Sequence, residues 1–162
     1  MRHKKIYKIA KRLDRFISEN SSSRLPSKAS IMAEINRHGK ATYYLGSGKF
    51  KRVFHIKATE RDLALKVGKP DAIKEDWRLY KYAKRKGLAD KYFGRCYWYT
   101  DYCLLQKFGY EKPVPKKVSH ELKRRANAIG LDDIGTKSNR NIRYFDDGFK
   151  IIDAGFSSKF RK

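Results

Sequence analysis

The sequence predicts an α+β fold, and three observations support this class. Apolar residues recur at helical spacing in separate stretches at 4–19, 71–87 and 118–129. Short β-branched and aromatic runs, bounded by glycine, aspartate or proline, are typical of strands and lie between these stretches. The strands come in blocks with helices inserted between the blocks, whereas a doubly wound parallel sheet would alternate single strands and helices.

The first predicted element is a helix over 4–19, followed by a second, shorter helix. Ser27 or Ser30 could cap the second helix, which ends at Gly39. The first helix has a basic outer face and one apolar stripe, formed by Ile6, Ile9, Ala10, Leu13, Phe16 and Ile17.

Three strands are predicted next, over 43–45, 50–56 and 63–67. Gly46-Ser47-Gly48-Lys49 joins the first two strands. It is either an ordinary hairpin turn or a glycine loop whose backbone amides cradle phosphates. A helix over 71–87 follows, closed by a glycine.

The second half of the chain predicts two strands, a helix and a hairpin, in that order (97–99, 102–105, 118–129, and 141–145 with 149–152). Asp146-Asp147-Gly148 forms the turn of the hairpin. Asp153 follows an Ile-Ile run at the end of the hairpin. That is a poor position for a turn residue and a better one for a metal ligand.

Length and composition indicate a chain with its own hydrophobic core. The 162 residues are 40% apolar, which is enough to bury a core. We expect a helical extension over 1–40 and one domain over 41–162. The two cysteines, Cys96 and Cys103, and four scattered histidines predict neither a disulfide framework nor a zinc site.

No apolar run approaches the roughly 20 residues that span a bilayer, and the basic N-terminus lacks a signal-peptide core. We therefore expect no membrane association and a cytoplasmic location, in a bacterium or an infected host cell. The oligomeric state is left open.

The charge is strongly positive. Forty Lys and Arg residues against seventeen Asp and Glu residues give a formal charge of +23, spread along the whole chain. Such a field attracts nucleic acid, nucleotides and acidic protein surfaces, although a solvated lysine-rich surface would look the same. Two kinds of partner remain open. One is a protein partner or substrate, which could be acidic, and the other is nucleic acid bound through the basic surface.

This order of elements, with the residues it carries, resembles the protein-kinase fold, particularly the reduced kinase-like proteins of phages and bacteria. The segment 46–53, GSGKFKRV, matches the glycine loop G-x-G-x-x-G-x-V except that Lys51 replaces the third glycine. Ala64-Leu65-Lys66-Val67 resembles the lysine strand, and Asp153-Ala154-Gly155 resembles the aspartate-x-glycine motif. The resemblance implies an antiparallel N-lobe sheet with one inserted helix and a truncated C-lobe, preceded by the N-terminal helix pair.

The resemblance also implies ATP and Mg²⁺ as cofactors and a set of site residues. Lys66 would orient the phosphates, with Glu75 as its ion-pair partner, and Asp133 would be the catalytic base. Asn141 and Asp153 would hold the metal. The nucleotide would be bound by Gly46, Ser47, Gly48, Val53, Lys66 and Gln106.

The sequence departs from the family at two places. Asn141 lies eight residues after Asp133 instead of five, so Asp132 or Asp133, and Asn139 or Asn141, could be the matching pair. Only nine residues follow Asp153, so we expect the parts that normally hold peptides to be missing.

The expected function is therefore a minimal kinase-like phosphotransferase acting on a protein, at Ser or Thr. One alternative is a catalytically weak, pseudokinase-like protein that binds and inhibits an acidic partner. The other is a basic nucleic-acid-binding protein.

Overall fold

The computed structural model describes residues 1–20, 24–39, 42–47, 51–57, 62–132 and 139–156. Within these ranges the helices are α1 (Lys4–Asn20), α2 (Lys28–Arg37), α3 (Pro70–Arg85) and α4 (Lys116–Ala128). The strands are β1 (Thr42–Ser47), β2 (Lys51–Lys57), β3 (Asp62–Gly68), β4 (Cys96–Tyr99), β5 (Cys103–Lys107), β6 (Leu131–Asp132), β7 (Ile142–Phe145), β8 (Gly148–Ile151) and β9 (Gly155–Phe156). The predicted α+β class is confirmed.

The chain divides into two compact units, each with its own core. Unit 1 comprises Met1–Trp77 and Cys96–Lys107, and unit 2 comprises Arg78–Arg95 and Phe108–Lys162. Among the described residues, no helix combines the length and the apolar character needed to cross a bilayer.

Unit 1 contains the sheet that the kinase resemblance implied. Five antiparallel strands are hydrogen-bonded in the order β1-β2-β3-β5-β4. Helix α3 is inserted in the chain between β3 and β4. The predicted antiparallel sheet with one inserted helix is therefore confirmed.

Helices α1 and α2 share one hydrophobic core with one face of this sheet. The apolar stripe predicted for the first helix is buried, with Phe16 at its margin. Ser27 caps α2, since its hydroxyl oxygen accepts a hydrogen bond from the backbone N–H of Ser30 at 3.2 Å. Each fully buried aliphatic side chain contributes on the order of 1.5–3 kcal/mol, so these helices are integral to the stability of unit 1.

A buried aspartate joins α1 to the turn between β4 and β5. Oδ1 of Asp14 accepts hydrogen bonds from the hydroxyl of Thr100 at 2.9 Å and from the backbone N–H of Tyr102 at 3.0 Å. Burial raises the pKa of the Asp14 carboxyl above its ordinary value of 3.8, and the two hydrogen bonds oppose that rise only in part.

Replacing Asp14 by Asn should remove part of the pH dependence of stability. Because the pKa is raised in the folded state, the stability from this carboxyl is fully present below pH 3.8. It is lost as the pH rises through the folded pKa. The Asp14→Asn variant does not titrate here, so its free energy of unfolding should increase relative to the wild type as the pH rises from about 4.

Urea unfolding at several pH values measures this difference. The two tryptophans, Trp77 and Trp98, both lie in unit 1, so tryptophan fluorescence reports that unit. Glu19→Gln, at an exposed position on the same helix, is the matched control and should follow the wild type. Parallel profiles for the wild type and Asp14→Asn would contradict the prediction.

Unit 2 contains α4, the predicted hairpin β7–β8, and a short ladder between β6 and β9. The two-residue strands of that ladder are too short to leave a periodic signal, and they were not predicted from the sequence. Gly109 lies so close to the hairpin that a Cβ there would come within 2.6 Å of the Cβ of Arg143. The core of unit 2 consists of Leu79, Ala83, Leu88, Phe93, Leu122, Ala126, Leu131, Ile142 and Ile151.

Candidate functional site

The centre of strand β3 carries a buried lysine on the side of the sheet away from α1 and α2. Lys66 is 5% exposed and lies opposite Val53 of β2 and Leu104 of β5. Residues directly opposite each other point to the same face of a sheet, so these three side chains share one face. The alternate residues of the same strands point into the core shared with α1 and α2 (Phe54, Leu65 and Leu105).

The next rung of the sheet continues this face. Ala64 of β3 lies opposite Gln106 of β5, and both are buried. We call the surface formed by Val53, Ala64, Lys66, Leu104 and Gln106 the lysine face. The structure thus brings three of the predicted residues, from three different strands, onto one surface.

The glycine loop begins at this face. The register of β1 against β2 shifts by one residue between Tyr44 and Gly46, which places Gly46 opposite Val53. Ser47 is the last residue of β1. Gly48 lies outside the described residues, so the loop's phosphate-binding role stays a prediction.

Lys51 stands where the family's loop has its third glycine, and it pairs with α3. Its Nζ lies 2.6 Å from Oδ2 of Asp76, with the two side chains 16% and 13% exposed. Lys51 precedes Val53 by two residues on β2, so both belong to the same face of the sheet. The ion pair therefore joins α3 to β2 on the side of the lysine face.

Helix α3 carries two adjacent carboxylates in different surroundings. Glu75, the predicted partner of Lys66, is exposed, and Asp76 is largely buried. Asp76 comes three residues after the buried Ile73, on the same side of the helix. Helical periodicity would have pointed to Asp76 as the inward carboxylate, whereas the role of Glu75 stays a prediction.

In unit 2, the two predicted metal ligands lie at the open end of the β7–β8 hairpin. Ile142 pairs with Ile151, and the backbone N–H of Ile152 donates to the carbonyl oxygen of Asn141 at 2.8 Å. Asp153 is the next residue along the chain. Asn141 and Asp153 are both half-buried and are twelve residues apart in sequence, and the strand pairing places them at the same end of the hairpin.

The β6–β9 ladder places Asp132, one of the two aspartates considered as the base, beside the aspartate-x-glycine motif. Asp132 pairs with Gly155, two residues beyond Asp153. Asp133 follows Asp132 directly but lies outside the described residues, so its role as the base stays a prediction.

Asn139, the other amide considered as a metal ligand, is held by α4. Its Oδ1 accepts hydrogen bonds from the hydroxyl of Ser119 at 2.7 Å and from Nζ of Lys123 at 3.1 Å. An ammonium group at this oxygen disfavours a divalent cation in the same place. The surroundings therefore favour Asn141 over Asn139 as the ligand.

The sheet order, the lysine on its third strand, and the hairpin that leads into Asp153-Ala154-Gly155 together define a protein-kinase-like fold. No known protein-family model matches the sequence, and no curated protein matches it either.

The solved structures similar to the chain include two aminoglycoside phosphotransferases. One is aminoglycoside phosphotransferase APH(2'')-Ib with ADP bound, at 21% sequence identity and a TM-score of 0.39, over 59% of this chain and 33% of that one. The other is the ternary complex of APH(2'')-IIa with streptomycin and ATP, at 17% identity and a TM-score of 0.38, over 60% of this chain and 34% of that one. The chain thus spans about a third of the length of each, and likeness of this degree says nothing about what this chain binds.

Proposed function

We propose that this chain is an ATP- and Mg²⁺-dependent phosphotransferase that phosphorylates a hydroxyl group of a protein. The observation that carries the proposal is the buried Lys66 in the middle of the lysine face. A buried ammonium group costs several kcal/mol unless it meets compensating partners, so a lysine on a central strand is rarely an accident of packing. Phosphoryl transfer requires positive charge of this kind, held in a fixed position.

The remaining residues of the lysine face fit a nucleotide. Val53, Ala64 and Leu104 supply an apolar surface for the flat base, and Gln106 supplies polar groups at the next rung. Lys66 would contact the phosphates as a point charge. The amides of the loop that starts at Gly46 would donate to phosphate oxygens.

The hairpin end in unit 2 fits a magnesium ion. Mg²⁺ takes oxygen ligands and is commonly bound by one or two carboxylates together with waters and substrate phosphates. Asp153 offers a carboxylate and Asn141 an amide oxygen. The described residues contain no group of three or more His, Cys, Asp and Glu that could hold a metal by themselves, so a site of this kind depends on phosphate and water for its remaining ligands. When bound, the ion would neutralise the charge on the phosphates.

In the reaction, the acceptor hydroxyl oxygen forms a bond to the γ-phosphorus, and the bond from that phosphorus to the β,γ-bridging oxygen breaks. ADP leaves with the electron pair, and the hydroxyl proton passes to a carboxylate, for which Asp133 is the candidate. We propose a protein acceptor with an acidic surface because the chain carries a net charge of +23.

The test is incubation of the wild-type chain with γ-labelled ATP, with Mg²⁺ or with EDTA. Bound MgATP at about 100 times its Kd should add roughly 2.7 kcal/mol to the free energy of unfolding, measured as a rise in melting temperature. Label should appear on the chain itself or on acidic peptides containing Ser or Thr, and only with Mg²⁺.

Each other outcome overturns a stated part of the proposal. No thermal stabilisation at millimolar MgATP excludes nucleotide binding. Stabilisation without label transfer or ATP hydrolysis excludes the enzyme and leaves a nucleotide-binding protein. Label on an aminoglycoside but on no peptide excludes the protein acceptor.

A further inference from the structure

The outer face of α1 is a row of cations. Its buried stripe faces the core of unit 1, and the described residues 1–18 contain a single acid, Asp14, which is also buried. The exposed side chains along the helix up to its fourth turn are Lys4, Lys5, Lys8, Lys11, Arg12 and Arg15. We call these six residues the α1 basic face.

This face differs from the basic faces of the other long helices. Helix α3 carries Asp71, Glu75 and Asp76 within its first two turns. In α4, Glu121 pairs with Arg124 at 2.8 Å and with Arg125 at 2.9 Å. On α1 the exposed carboxylate of Glu19 comes four residues after the last of the six cations. Lys11 lies 4.0 Å from Oδ2 of the buried Asp14, the one acid among residues 1–18, so positive charge is locally concentrated between Lys4 and Arg15.

The composition of the face indicates which polyanion it fits. Its apolar neighbours Ile6, Ile9 and Leu13 are buried, so α1 has no apolar side chain to insert into a lipid surface. The face also lacks the aromatic or aliphatic anchors on which protein interfaces depend. Tyr7 packs edge-on against Trp98 in the core, so no ring on this face is available to stack on unpaired bases.

We propose that the α1 basic face binds the phosphate backbone of double-stranded nucleic acid without sequence preference. The face runs from residue 4 to residue 15, about 17 Å along the helix axis. A duplex of that length carries about ten phosphate charges, enough to engage every cation on one side. Arg12 also donates to Nδ1 of His38 at 2.7 Å, so the four lysines are expected to make most of the contacts. This proposal does not depend on nucleotide hydrolysis or phosphoryl transfer.

The test is fluorescence polarisation with a labelled 20-base-pair DNA duplex, without ATP, between 50 and 200 mM salt. The variant replaces Lys4, Lys8 and Lys11 together by Gln, all at exposed positions. Each lysine–phosphate interaction that the variant removes should reduce the slope of log K against log salt by about 0.9. We expect the triple variant to bind at least about 10-fold more weakly at 100 mM salt.

The matched control replaces Lys84, Lys86 and Lys116, which are exposed and lie outside α1, by Gln. It removes the same charge and should bind within about 3-fold of the wild type, because screening limits the effect of distant charges. Equal losses of duplex affinity in both variants would overturn the proposal, because the net positive charge of the whole chain, and not the α1 basic face, would then account for binding. Tighter binding to phosphatidylserine vesicles or to polyglutamate than to the duplex would also overturn it. Circular dichroism and tryptophan fluorescence confirm that each variant is folded.

Discussion

Lys66→Met should lower the rate of ATP-dependent label transfer by about 10²–10³-fold, the usual cost of removing one charge-stabilising group from such a site. Methionine keeps the length and apolar stem of the lysine but not its charge, so the packing of β3 against β2 and β5 is preserved. Lys66→Arg should not restore the rate, because the planar guanidinium is larger and places its charge differently. The measurement is the initial rate of transfer from γ-labelled ATP at saturating Mg²⁺.

Lys57→Ala is the matched control. Lys57 lies in the same sheet, at the exposed end of β2, and should retain the wild-type rate. Tryptophan fluorescence, which reports unit 1, separates loss of folding from loss of function in the Lys66 variants. A folded Lys66→Met protein with a rate within a few-fold of the wild type would remove Lys66 from the mechanism.

Asp153→Asn should raise the Mg²⁺ concentration that the reaction requires and lower its maximal rate. Asparagine keeps the shape of the side chain but offers a neutral oxygen, which binds a divalent cation much more weakly than a carboxylate does. We expect a loss of about 10²–10³-fold at low millimolar Mg²⁺, with partial recovery as Mg²⁺ is raised. A Mg²⁺ titration of label transfer measures both effects.

The control is Asp146→Asn, in the exposed turn of the same hairpin. Its Mg²⁺ curve should overlay that of the wild type, because a turn carboxylate in water binds Mg²⁺ weakly. If the Mg²⁺ curve of Asp153→Asn also overlays that of the wild type, the ion is not held at the hairpin end. The assignment of Asp153 and Asn141 as metal ligands is then wrong.

Much of the fold could be predicted from local patterns. The period-2 alternation of β3 predicts that Lys66 points to the face opposite Leu65 and Val67, and those two neighbours do lie in the core. The helical stripe of α1 and the turn of the β7–β8 hairpin were predicted for the same reason. In each case, neighbours along the chain determine which way a side chain points.

Only part of the candidate site could be predicted from local sequence patterns. The ladder between β6 and β9 joins Leu131 to Phe156 and Asp132 to Gly155, and two residues on each strand are too few to show a period. The pairing of Lys51 with Asp76 depends on how α3 packs against β2. The hydrogen bonds from Ser119 and Lys123 to Oδ1 of Asn139 depend in turn on the position of α4.

The sequence by itself thus determined the class of fold, the order of the helices and of the strands longer than two residues, and the buried sides of α1 and β3. Only the tertiary structure decided which distant residues meet: Val53, Lys66 and Leu104 on one surface, and Asn141 beside Ile152 at the hairpin end. The physical reason is that backbone periodicity is a local property of the chain. Contacts between separate elements depend on strand register and packing, which many residues determine together.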